Sequence, residues 1–155
     1  MNTKPKLPMI SFTFVLLMAM ADSALAQSDD YLGQLSANPY NANSTSNPYG
    51  QHGSKYSAES INNPYSEHGS PYSNESVSNP YATDAPKLYD SQGNYRGKLS
   101  SNRYDPESVS NPYGRYGSKY SSDSINNPYG AGSPYRADSP TNPYGEGLSI
   151  YGDEE

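Results

Sequence analysis

A chain of 155 residues with 17 tyrosines, 14 prolines, 13 glycines, no cysteine and a net charge of −6 excludes several kinds of protein from the outset. Without cysteine there is no disulfide framework and no thiolate zinc site. The negative charge argues against nucleic acid and anionic lipid, whose phosphates need a basic partner.

The first element in the chain is a leader. Lys4 and Lys6 precede the apolar stretch Met9–Ala21, and Ala24-Leu25-Ala26 places small residues where a signal peptidase reads. This layout predicts a secretory signal peptide over 1–26, cleaved between Ala26 and Gln27. The apolar stretch is shorter than the ~20 residues of a membrane span, so the mature protein is expected not to be integral to a membrane. All four Met and both Phe lie in the leader. With Lys4, Lys6 and Asp22 gone, 8 basic residues face 15 acidic ones.

Next comes an internal duplication at an offset of 64 residues. Tyr31–Tyr65 and Tyr95–Tyr129 align without a gap and share 23 of 35 positions. The chain therefore divides into a first copy (27–81), a linker with the start of a hairpin (82–94), a second copy (95–145) and an acidic tail (146–155). Within each copy Asn-Pro-Tyr recurs about every 16 residues. Asn-Pro-Tyr-Gly fits a type I turn, with Asn at i, Pro at i+1 and Gly at i+3. Between these turns, Ser57–Ile61, Ser73–Val77, Asp105–Val109 and Ser121–Ile125 open on a capping side chain followed by a carboxylate. Each predicts a single helical turn, stopped by the next Asn-Pro. Lys87–Tyr89 and Tyr95–Leu99 flank a five-residue, Gly-containing loop and predict a β-hairpin over 87–99.

The mature chain holds ten large aliphatics, five Leu, three Ile and two Val. That is too few to offset the ordering of the backbone by apolar burial. The expected fold is a mostly irregular repeat protein of β-turns and single helical turns with one hairpin. It is expected to be largely disordered or thinly packed, without a conventional globular core. The rival is a stacked repeat with a thin continuous core of Tyr and Ile/Val rows.

Chemistry finds little footing. His52 and His68, the only histidines, fall outside the duplicated design, because Tyr116 and Ala131 hold their places in the second copy. They read as incidental loop residues rather than metal ligands. Glu59, Glu75, Glu107 and Asp123 recur once per unit without an EF-hand or Gly-Gly-x-Gly-x-Asp spacing, and so read as capping charges. No Gly-x-Ser-x-Gly elbow is present. The expectation is no enzyme, no cofactor and no metal. The candidate binding residues are the tyrosines of the Asn-Pro-Tyr-Gly turns: Tyr49, Tyr113, Tyr129 and Tyr144. Tyr combines large contact area with a hydroxyl at low entropic cost. The alternative is that each ring packs on its own proline.

Gly93–Leu99 and Tyr104–Tyr135, with Asp-Pro-x-Ser, Asn-Pro-Tyr-Gly and Gly-Ser-x-Tyr, resemble a family of small secreted bacterial proteins with such repeats. The first copy departs from it at Asn41-Ala42-Asn43. The resemblance implies export, to the periplasm or outside the cell, and no mechanism. Two functions are expected from the residues. One is a structural or interaction protein of the envelope or matrix, with a protein, a glycan or a second copy of the chain as partner. The other is a carbohydrate-binding repeat module.

Overall fold

Four short runs form strands, β1 (Tyr31–Leu35), β2 (Lys87–Tyr89), β3 (Tyr95–Lys98) and β4 (Leu148–Tyr151), with alternating burial in β2 and β4. The computed structural model describes residues 30–152. The leader, its cleavage point and the acidic residues Asp153, Glu154 and Glu155 lie outside the described residues. The strands make one antiparallel sheet in the order β1-β4-β2-β3. The predicted hairpin is present as β2 and β3, but it does not stand alone. Leu88 pairs with Ile150 at the centre of the sheet, and β4 joins the hairpin to β1. Leu-Ser-Ile-Tyr of β4 falls in the stretch assigned to the tail. Its four residues lie between Gly-Glu-Gly and Gly-Asp-Glu-Glu, so no local signal sets it apart.

The two edge strands, β1 and β3, lie 64 residues apart in sequence and are built alike. In each, a glycine at φ 97°, Gly33 or Gly97, sits at an irregularity in the pairing register. An aromatic residue of the following turns packs directly over it, His52 on Gly33 and Tyr116 on Gly97. The outer edges are covered by the chain itself. Gln34 N–H donates to Asn43 O and Gln34 O accepts from Thr45; Lys98 does the same with Glu107 and Val109. Pairing at Gln34 and Lys98 leaves less of each edge free to template another strand. Beside these bonds, Lys98 Nζ reaches Asp105 (3.6 Å) and Glu107 (3.4 Å). In the first copy the matching contact is neutral, with Asn41 Nδ2 donating to Gln34 Oε1 at 2.8 Å.

Packing is thin, as the composition implies, yet the aliphatics are not scattered. Leu32, Ile61, Leu88, Val109, Leu148 and Ile150 are buried together, with Leu35, Val77, Leu99 and Ile125 against them. These ten are every large aliphatic after the leader. Beside the cluster runs a row of rings, His52, Tyr31, Tyr151, Tyr89, Tyr95 and Tyr116, each 5.4–5.8 Å from the next; the last, Tyr116, also packs against the aliphatics. Edge-to-face contacts at this spacing add to the stabilisation from burial.

The segments between strands are strings of β-turns, and here one expectation is corrected. No helix occurs among the described residues. Ser57–Ile61, Ser73–Val77, Asp105–Val109 and Ser121–Ile125 are turns. In each, the opening side chain takes the N–H two residues on: Glu59 to Ser57, Glu75 to Ser73, Glu107 to Asp105 and Asp123 to Ser121. The next Ser or Asn then repeats the arrangement, as when Ser60 takes the N–H of Asn62. A side chain that captures the backbone donor every third residue leaves no run of free N–H groups for a helix.

Where turns press inward, serine replaces a hydrophobic side chain. Ser44, Ser60 and Ser108 are fully buried. Each hydroxyl accepts from the N–H two residues on and donates to a carbonyl eight residues back, on Ser36, His52 or Ser100. A buried hydroxyl so satisfied avoids the desolvation penalty of an unpaired one. Asn62 and Asn126 tie successive coils together, each donating to carbonyls 9 and 17 residues back.

Candidate functional site: a display of tyrosines

The 17 tyrosines divide by local sequence. Five lie in the sheet or against it, in the row of rings described above. The other twelve are between 82 and 96% exposed. All twelve follow Asn or Ser by two residues with Pro, Lys or Arg between, as in Asn47-Pro48-Tyr49 and Ser54-Lys55-Tyr56. In every one, the tyrosine N–H donates to that Asn or Ser side chain. In the Asn-Pro-Tyr-Gly turns the Gly N–H also donates to the Asn carbonyl, at 3.1–3.2 Å in Gly50, Gly114, Gly130 and Gly145. Among the described residues none other than glycine has positive φ, which excludes a type II turn with tyrosine at i+2. In these four turns the backbone beneath the ring is therefore held by two bonds while the ring stands in solvent.

Tyr49, Tyr113 and Tyr129 are 96% exposed and Tyr144 is 92% exposed. At this exposure the rings do not pack on their own prolines. The structure adds eight equivalents: Tyr40, Tyr56, Tyr65, Tyr72, Tyr81, Tyr104, Tyr120 and Tyr135. The signal that finds them is the Asn/Ser two residues earlier, which is broader than Asn-Pro-Tyr-Gly. Some of these rings flank shared clefts. Tyr81 and Tyr104 line one of 310 Å³ with Pro80, Ser101, Asn102 and Arg103. Tyr104 and Tyr113 line a neighbour of 220 Å³ with Arg103 and Pro112, and Tyr56 and Tyr65 a third of 300 Å³ with Lys55, Asn63 and Pro64. Tyr49, Tyr129 and Tyr144 line none of these three.

The strongest electrostatic feature lies elsewhere, at the hairpin loop. Asp90 is buried and lines a 380 Å³ cleft with Tyr89, Ser91, Gly93, Ser149 and Tyr151. Burial alone raises its pKa, but donors from Asn94, Arg96 and Gln92 outweigh this and hold it at about 2. Arg96 bonds Asp90 at 2.9 Å and Asp123 at 3.1 Å, and Arg115 joins Asp123 at 2.6 Å. The network pins the loop and β3 to the second copy's turns. A depressed carboxylate pKa stabilises the fold above the unfolded value of 3.8 and is lost as pH falls through 2. Denaturant midpoints at pH 7, 4 and 2 are expected to drop mainly between pH 4 and 2. Asp90→Asn is expected to flatten that drop and to cost on the order of 1–2 kcal/mol at pH 7. An unchanged acid limb in Asp90→Asn contradicts this. Burial also pushes the Tyr95 phenol up, with the Glu107 carboxylate adding to it, so that ring stays neutral within the row.

No protein-family model, curated protein or solved structure matches the chain. Among the described residues, no helix is long and apolar enough to cross a membrane. Rings that are held at the backbone and bare at the side chain can stack, hydrogen-bond through the phenol, or meet the same rings on another molecule.

Proposed function

We propose that this is an exported structural or interaction protein of the cell envelope or extracellular matrix, acting through multivalent display of tyrosines. The observation that carries the reading is the exposure of twelve tyrosines, each on a turn whose N–H is capped. Binding to such rings orders little that is not already ordered, so a small contact energy is not consumed by entropy. One ring contributes about 0.5–1.5 kcal/mol. Several on one scaffold act as a linked array. The leader over 1–26 and the resemblance to small secreted bacterial proteins support export.

The test uses substitutions that leave the sheet alone. Tyr49→Ala alone is expected to change retention on envelope material by less than threefold. Tyr49, Tyr113, Tyr129 and Tyr144 changed together are expected to lower it by at least tenfold, with the denaturant midpoint unchanged. Retention that survives the quadruple variant removes the proposal for these four rings. A second reading, carbohydrate binding, is favoured by the clefts in which two tyrosines flank a proline and a basic residue. Under it, soluble glycan fragments compete for retention; under self-association, the chain sediments as oligomers without any glycan.

A further inference from the structure

His68 lies where the first copy's turns meet the start of β1. The ring is buried, 5% exposed. Nε2 stands 3.0 Å from Asp30 Oδ2 and Nδ1 stands 3.4 Å from the main-chain oxygen of Glu75. Both neighbours are acceptors, and a neutral imidazole has one N–H to give. The contact with Asp30 is shorter and involves a carboxylate, so the proton belongs on Nε2. That leaves the Nδ1 lone pair turned toward the Glu75 segment, against another oxygen. A cation at this edge relieves the opposition.

The donors for one are at hand. A ring nitrogen of His68 and a carboxylate oxygen from each of Glu67 and Glu75 lie within 4.8 Å of one another. We propose that His68, Glu67 and Glu75 bind a divalent transition-metal ion of the zinc type. Asp30 is then the carboxylate that fixes the imidazole tautomer from behind. One imidazole with two carboxylates suits zinc, which takes N and O donors at about 2.0–2.2 Å. Calcium and magnesium prefer all-oxygen shells. Glu67 is exposed, so its side chain can swing to close the set, and solvent completes the coordination. A carboxylate behind a ligating histidine is the usual outer support of such a site.

The chain contains its own control. Sixteen residues earlier, Gln51-His52 and Glu59 repeat the spacing of Glu67-His68 and Glu75, with an amide in place of the first carboxylate. There Gln51 Nε2 donates to Glu59 Oε2, and the His52 ring packs on Tyr31. The second copy is one residue shorter at this point and holds Ala131. The site is thus particular to one unit and forms no part of the duplicated design.

Calorimetric titration of the full chain with zinc chloride, after stripping with a chelator, decides the matter. Saturable uptake of one equivalent is expected, weakened at least tenfold by Glu67→Gln and by His68→Asn. Asp30→Asn is expected to weaken it 10- to 100-fold. His52→Asn and a tenfold excess of calcium should leave it unchanged. Glu67→Gln, at an exposed residue, separates loss of metal from loss of fold, since its metal-free denaturant midpoint should match the parent. Absence of saturable uptake overturns the proposal. Uptake that Glu67→Gln and His68→Asn leave intact overturns it as well, by placing the ion elsewhere.

Discussion

Ile150→Ala is expected to unfold this protein at room temperature or bring it to the edge of unfolding. Ile150 is fully buried, and its register partner Leu88 is fully buried as well. Truncating a buried Ile to Ala costs about 2–5 kcal/mol through lost transfer energy and the cavity left behind. A domain of ordinary stability holds only about 5–15 kcal/mol in total. Here the loss falls on a core of ten aliphatics, the one hydrophobic cluster among the described residues, and on the strand that links β1 to the hairpin. Denaturant titration followed by tyrosine fluorescence should show a midpoint lowered to near zero, or no native baseline. Ile125→Ala, at a partly buried position on the margin of the core, should cost less than half as much. Equal losses at the two positions contradict a single core centred on β2 and β4.

Gly97→Ala is expected to be strongly destabilising as well, for a different reason. At φ 97° the backbone is in the region that side chains rarely adopt. An added Cβ would meet the Tyr116 side chain at 2.7 Å and the Glu107 carbonyl at 2.8 Å. The first contact pushes Tyr116 off the end of the row of rings. The second breaks the pairing of the outer edge of β3 with its own turns. Strain and displacement together should cost about 2–4 kcal/mol. Gly93→Ala separates the two causes. It has φ 80° but nothing within 4 Å of the added Cβ, and should cost about 1 kcal/mol from backbone strain alone. Thermal melts of both variants test this, and a Gly97→Ala melt no lower than that of Gly93→Ala excludes the steric account.

Much of the display was legible in the sequence because it is local. Asn47-Pro48-Tyr49 contains its whole turn: the capping oxygen, the preset φ and the ring. The Asn-Pro-Tyr-Gly pattern led to Tyr49, Tyr113, Tyr129 and Tyr144, while the eight further rings needed the looser rule of Asn or Ser two residues before Tyr. The hairpin was legible for the same reason, since Lys87–Tyr89 and Tyr95–Lys98 carry their own loop. The helical turns were misread because a capping serine looks the same whether its N–H belongs to a helix or to a turn. What tells them apart is the next capping residue three positions on, as in Ser57, Ser60 and Asn63, which restarts the turn before a helix can propagate.

The amino-acid sequence by itself determined the Asn-Pro-Tyr-Gly turns, the hairpin, the duplication and the poverty of the core, whereas the exposure of the twelve tyrosines came from the structure. Only the tertiary structure decided that β4 exists, that it lies beside β1 more than a hundred residues away, and that the ten aliphatics meet in one cluster. It also decided that His68 sits against Asp30, Glu67 and Glu75, with Asp30 38 residues away in sequence. The physical reason is the same in each case. Leu-Ser-Ile-Tyr and a lone histidine have no local preference strong enough to announce their partners. Their stabilisation comes from burial and pairing, and those exist only once distant segments of the chain have come together.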